Sequence, residues 1–232
     1  GVKKLKAIVI DLDRMPTFHD RKKVLGNIKD YGAKLRADEA INVLKDYGTA
    51  MMADYTNHVG GLPVNNFTSG RQVDIANGVL KMGGDFIRAQ NLERGGETSH
   101  ACMPGCLIEC SNVYADADGK EIVSPVEYET LGLMGTNCGL TDPDDLARLN
   151  WHANDLGIDT IETGAAIAVY MDSNGMAWGD AAGAKKLLAE EVNNGTPLGR
   201  NIGDGALAIG TARKHHRIPV AKGQALPAWD PR

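Results

Sequence analysis

Apolar residues recur at helical spacing along most of this chain. The clearest case is Leu146, Leu149, Ala153 and Leu156, which follow Asp142-Pro143-Asp144-Asp145 and precede Gly157. An Asp can cap a helix, Pro suits its first position, acids favour its positive end, and Gly ends it, so a helix is predicted from Asp142. The same reasoning predicts helices from about His19 to Tyr31, and after Asp38 with Ile41, Leu44 and Tyr47 on one face. Met51, Met52 and Tyr55 continue that face until Gly60-Gly61-Leu62-Pro63 breaks it. Further helices are predicted over Asp74 to Arg94, Thr163 to Asn174, Asp180 to Asn194 and Leu198 to His215. β patterning is confined to Lys4 to Asp11, read as a short strand, and to Val113-Tyr114 and Ile122-Val123 around Asp118-Gly119, read as one hairpin. The fold class expected is mainly α.

Composition changes this picture little. The 232 residues carry 25 Lys+Arg and 30 Asp+Glu, a net charge of −5, which argues against a general nucleic-acid or anionic-membrane binder. No run of about 18 apolar residues is present, so no membrane span is expected. The amino end shows no secretory signal, which leads to the expectation of a cytoplasmic protein. The first residue is Gly1 rather than Met, and the last are Asp230-Pro231-Arg232, so a piece of a longer protein is expected.

Chemistry concentrates in His100-Ala101-Cys102-Met103-Pro104-Gly105-Cys106-Leu107-Ile108-Glu109-Cys110. Without a secretory signal, three thiols this close point to a metal or redox site rather than to disulfides. Thiolates on a tight loop can converge on one corner of a [4Fe–4S] cubane, and Pro104-Gly105 would help the loop wrap. The fourth ligand would come from Cys138, from His100, or from chain outside this sequence. A zinc module using Cys102, Cys106, Cys110 and His100 is the alternative, and free thiols are a third.

Two other segments carry candidate polar groups. Glu127-Tyr128-Glu129 opens an apolar run; either glutamate reads as a solvated first-turn acid or as a proton-transfer group in a pocket. Asn154 and Asp159 flank Gly157, where they could hydrogen-bond a heterocyclic ligand or, in the case of Asp159, cap the next helix. His215-His216 reads as a solvated pair near a helix end.

Taken in order, these segments resemble the aldehyde ferredoxin oxidoreductase family of tungsten- and molybdenum-pterin enzymes. The resemblance rests on Gly1 to Ile8, on Tyr47-Gly48-Thr49, Gly61-Leu62-Pro63 and Asn66-Phe67, and on the cysteine loop. It continues through Glu127 to Leu131, Asn137-Cys138-Gly139, Leu156 to Ile161 and Leu226 to Arg232. It implies that residues 1–18 end a preceding pterin-binding domain, and that 19–232 form a helical domain carrying the cysteine loop and the pterin-facing turn. It further implies an oxidoreductase that interconverts aldehydes, or related carbonyl compounds, and carboxylates. A tungsten or molybdenum bis-pterin would do the chemistry, and a [4Fe–4S] cluster would pass electrons to ferredoxin. In that scheme Cys102, Cys106 and Cys110 are cluster ligands, Asn154, Gly157 and Asp159 face the pterin, and Glu129 is the carboxylate near the metal. A homo-oligomer is left open. Two departures from the family pattern are visible: three residues separate the first two cysteines where the family has two, and Asn154 stands where the family has Asp.

Overall fold

A computed structural model describes residues 7–229, apart from Leu12, Met15 and Ile75. The predicted strand at Lys4 to Asp11 lies partly outside these residues. Its described part, Ala7 to Asp11, has no strand partner and is exposed, and a strand without a partner has no ladder to hold it.

The helices follow the capping signals. Asp20 accepts from the Lys23 N–H and starts α1, Arg21–Ala37, which runs six residues past the predicted end. Asp38 accepts from the Ala40 and Ile41 N–H groups and starts α2, Glu39–Tyr47. Then come α3, Met51–Val59, and α4, Gly84–Glu93. The described residues from Asp74 to Gly83 are not helical. Asp54 accepts from the Gly84 N–H at 2.6 Å and so sets the start of α4, while Gly78 and Gly83 weaken any helix before it.

The predicted hairpin is present as β2, Ser111–Ala115, and β3, Glu121–Val123, with Gly119 at φ 78° in its turn. The pattern missed a third strand, β1, Glu97–His100, which pairs antiparallel with β2. It reads Glu-Thr-Ser-His, too short and polar to show alternation. A second small pair, β4, Val220–Ala221, with β5, Gln224–Ala225, was equally illegible.

Next comes one irregular helical run. It begins as α5, Tyr128–Thr130, widens to a π-helix over Leu131–Gly135, and tightens to a 3-10 turn over Thr136–Cys138. α6, Pro143–Leu156, has the predicted cap at Asp142 and stop at Gly157, where φ is 68°. α7 spans Thr160–Asp172 and is capped by Asp159, three residues earlier than predicted. The predicted third helix is α8, Ala181–Lys186, continued as a π-helix over Leu187–Val192. The predicted fourth helix is two, α9, Pro197–Gly203, and α10, Ala206–Ala212, broken where Gly205 takes φ 98°. Glu162 fills that break: its carboxylate accepts from the Ala206 N–H at 2.9 Å and from the Ala225 N–H at 2.8 Å, so one side chain on α7 holds both α10 and β5.

α7 is the axis of the core. It is apolar on all sides, and Ala165 to Val169 are buried throughout, as expected for a helix with neighbours all round. It packs against the π-helical segment, where Leu131, Leu133 and Met134 have no exposed surface. His215 departs from the solvated pair expected. Its Nε2 sits 2.7 Å from Asp172 Oδ2, which also receives Arg217 and the Asn66 amide. Burial would raise the Asp172 carboxyl, but these donors hold it below the usual range.

Candidate functional site

The cysteine loop is the connection between β1 and β2. His100 pairs with Ser111, so residues 101–110 leave and re-enter the sheet at adjacent points. This closure gathers the three thiols, and it depends on β1. Three anchors fix the loop to the body. Ser99 donates to the Lys45 carbonyl at 3.0 Å, Lys45 pairs with Glu109, and Gly48 lets the α2 terminus meet the Cys110 carbonyl. A Cβ on Gly48 would lie 2.7 Å from that oxygen, and Gly48 itself has φ 64°. On the other side, the one buried residue of α1, Gly32, faces Leu107: a Cβ there would lie 3.0 Å from the leucine methyl.

Within the loop, Cys102 is exposed while Cys106 and Cys110 are half-buried. Backbone N–H groups of Glu109 and Ile108 hold the Cys106 thiol below its ordinary pKa, and Cys102 approaches it closely enough to add to the effect. Burial pushes the Cys110 thiol up, with the Glu127 carboxylate and the other two thiols adding to the shift. The three thiols are therefore electrostatic neighbours. Among the described residues, no three His, Cys, Asp or Glu side chains close around a single metal ion. His100, a ligand of the zinc alternative, has its Nδ1 engaged 2.6 Å from Glu97. Cys138 is not part of the loop: it is buried and donates to the Gly164 and Leu133 carbonyls, and burial pushes its thiol far up.

From Cys110 a chain of contacts runs to the other predicted residues. Thr49, directly after Gly48, donates to Glu127 and accepts from the Tyr128 N–H at 3.0 Å. Glu129 Oε2 accepts from the Ala228 N–H at 2.8 Å, and Tyr128 donates to the Ala228 carbonyl. The Tyr128 ring meets Trp229 edge-on at 6.1 Å, and burial pushes its phenol up to about 12. Two adjacent side chains thus clamp the distant segment around Ala228. Tyr128→Phe should cost about 1–2 kcal/mol in urea unfolding, because it leaves the buried Ala228 carbonyl unpaired; an unchanged midpoint would contradict the clamp.

Thr130 and Thr160 share a hydrogen bond of 2.8 Å, which joins the glutamate segment to the start of α7. Beside it lies the turn with Asn154, Gly157 and Asp159. Asp159 accepts from the Glu162 N–H at 2.6 Å, a capping role. Asn154 is exposed, and no atom lies within 4 Å of where a Gly157 Cβ would be, so the turn presents an open face. The sequence did not single out Thr49, Thr160 or the anchoring of Ala228 as parts of this site. Their hydroxyl and amide groups acquire meaning only when partners some 30 to 100 residues away arrive. An open cavity of about 420 Å³ lies elsewhere, lined by Lys120, Ile122, Arg148, Trp151, His152 and Lys185 among others.

Comparison with known proteins bears directly on this arrangement. The family model described as aldehyde ferredoxin oxidoreductase, domains 2 and 3, matches residues 27–232. Tungsten-containing aldehyde ferredoxin oxidoreductases from Pyrococcus furiosus and Thermococcus kodakarensis are each 26% identical over the whole chain, which spans 39% of their length. The Pyrococcus horikoshii protein of the same name is 32% identical over 74% of this chain and 27% of its own length. Among the described residues no helix is long and apolar enough to cross a membrane. With a match that covers the cysteine loop, the glutamate segment and the turn in one alignment, the chain belongs to the aldehyde ferredoxin oxidoreductase family of oxidoreductases.

Proposed function

We propose that this chain is the portion of a tungsten- or molybdenum-pterin oxidoreductase that interconverts aldehydes, or related carbonyl compounds, and carboxylates, with electrons leaving through a [4Fe–4S] cluster to ferredoxin. One observation carries the reading: the β1–β2 closure groups Cys102, Cys106 and Cys110, and the Cys110 end is linked through Gly48 and Thr49 to the Glu127-to-Thr130 segment that is bonded to the start of α7.

The residues fit an iron–sulfur cluster. The backbone amides of Glu109 and Ile108 favour the charged form of the Cys106 thiol, the form in which a cysteine ligates a cluster. Gly105 has φ 83° and nothing within 4 Å of its Cβ position, which leaves room beside the thiols. Cys102, Cys106 and Cys110 would hold the cluster, with a fourth ligand from chain outside this sequence. The open face of Asn154, Gly157 and Asp159 would meet the pterin. When bound, the metal–pterin supplies the two-electron chemistry and the cluster a one-electron relay. Glu129, oriented by the Ala228 N–H, would take up or return the proton that accompanies oxidation. Residues 1–18 would end the preceding domain; the exposure of Ile8, Val9 and Ile10 supports a further apolar surface packed over them.

The test is anaerobic expression of the whole protein that carries this chain. About four iron and four sulfide per cluster are expected, with broad visible absorbance bleached by dithionite and aldehyde-dependent reduction of a viologen dye. Cys106→Ser should abolish or alter the EPR signal of the reduced cluster. One zinc per chain with no visible absorbance would overturn the proposal.

A further inference from the structure

α1 breaks a local rule. Cations destabilise the positive end of a helix dipole, yet its first three residues are Arg21, Lys22 and Lys23, and its first turn holds no acid. Lys29, Lys34 and Arg36 bring the total to six cations against one acid, Asp30, a surplus of five. The whole chain is at −5, so everything outside this helix carries −10. All six cations are exposed, and none forms an ion pair among the described residues. Lys22, Lys29 and Arg36 are seven apart and so form one row about 21 Å long. Leu25 stands beside that row and Ile28 adjoins Leu25 one turn on, 49% and 58% exposed. Such uncovered side chains cost solvation, and such unpaired cations repel one another; helix stability explains neither.

The position of this helix matters as much as its charge. Its single buried residue, Gly32, lies on Leu107, between Cys106 and Cys110, and Arg36 Nη1 comes within 3.5 Å of the Gly32 Cβ position. The basic row therefore ends on the cysteine loop, whose outer rim is the exposed Cys102 and Met103.

We propose that α1 is the docking surface for an acidic electron-carrier protein. The Lys22–Lys29–Arg36 row would meet the carrier's carboxylates, and Leu25 and Ile28 would form the apolar centre of the contact. The carrier's redox centre would then face the cysteine loop. The inference rests on the cluster assignment above and adds the place of electron exit. Opposite charges would steer encounter and orient the carrier, so association should weaken as salt screens the row.

The experiment uses the whole, cofactor-loaded protein with a purified acidic [4Fe–4S] ferredoxin, and a viologen dye as an acceptor that needs no docking. The dye rate of the parent protein tests the underlying function: without it, the function fails rather than the docking surface. Given that rate, the triple charge reversal K22E/K29E/R36E should raise the KM for ferredoxin about tenfold or more and flatten its dependence on salt, with the ratio of dye rate to helix content unchanged. The substitutions are on the exposed side of a helix, and far-UV circular dichroism checks that it persists. A second variant, K120Q/K185Q, removes cations elsewhere and should leave the ferredoxin KM as it was. An unchanged KM and salt profile in the triple variant would overturn the proposal. So would hydrogen exchange showing α1 already protected in the resting protein and unaffected by ferredoxin.

Discussion

Gly164→Val is expected to abolish cooperative folding. Gly164 is in the middle of α7, where it meets the π-helical segment backbone to backbone. A Cβ there would lie 2.5 Å from the Met134 nitrogen and 2.6 Å from the Leu133 carbonyl carbon. No rotamer relieves this clash, because the obstacle is main chain on the most buried helix of the protein. Even Gly164→Ala should cost about 2–3 kcal/mol, through forced separation of two packed elements. Separation would also break the Cys138 Sγ contacts to Gly164 and Leu133. The same change at Gly26 in α1 has nothing within 4 Å of the new methyl, and alanine is the better helix former by roughly 0.5–1 kcal/mol. Opposite signs at the two sites, read from urea midpoints, support the close approach. Equal small effects would contradict it.

The second large effect is at Asp144. Its Oδ1 accepts from Tyr114 at 2.6 Å and from Arg94 at 2.6 Å, which ties α4, β2 and α6 together. Tyr114 has no exposed surface, and burial, with the Asp144 carboxylate adding, pushes its phenol far up. Asp144→Ala strands this hydroxyl and a partly buried guanidinium, and should cost about 2–4 kcal/mol. The pH dependence has a definite sign. Burial would raise the Asp144 carboxyl, but the hydrogen bonds from Arg94 and Tyr114 hold it below its ordinary value. A carboxyl depressed in the folded state stabilises fully above its unfolded pKa, and that contribution disappears as pH falls through the folded value. The stability gap between parent and Asp144→Ala should therefore be constant near neutrality and close only in strongly acidic solution. The gap, not the parent curve alone, is the measurement, since Asp172 is depressed as well. A gap that widens on acidification would refute the assignment.

Much of the fold was legible because the signals were local. Asp38, Asp142 and Asp180 each cap the helix that follows them, and Gly48, Gly60 and Gly157 stop theirs with positive φ. These are contacts within a few residues, so composition and order suffice to find them. The cysteine spacing was legible for the same reason, and so was the family.

The site was legible only as residue types. β1 has no alternating pattern, yet its pairing with β2 is what closes the loop and gathers Cys102, Cys106 and Cys110. Glu127 and Glu129 look alike in sequence; tertiary contacts give one to Thr49 and the other to Ala228. His215 looked solvated until the chain returned it to Asp172. Sequence by itself determined the local caps and glycine stops of several helices, which residues could bind a metal, and the charge of α1. Tertiary structure alone decided which of those groups become neighbours, because burial and hydrogen bonding across 30 to 100 residues depend on how elements pack and not on local spacing.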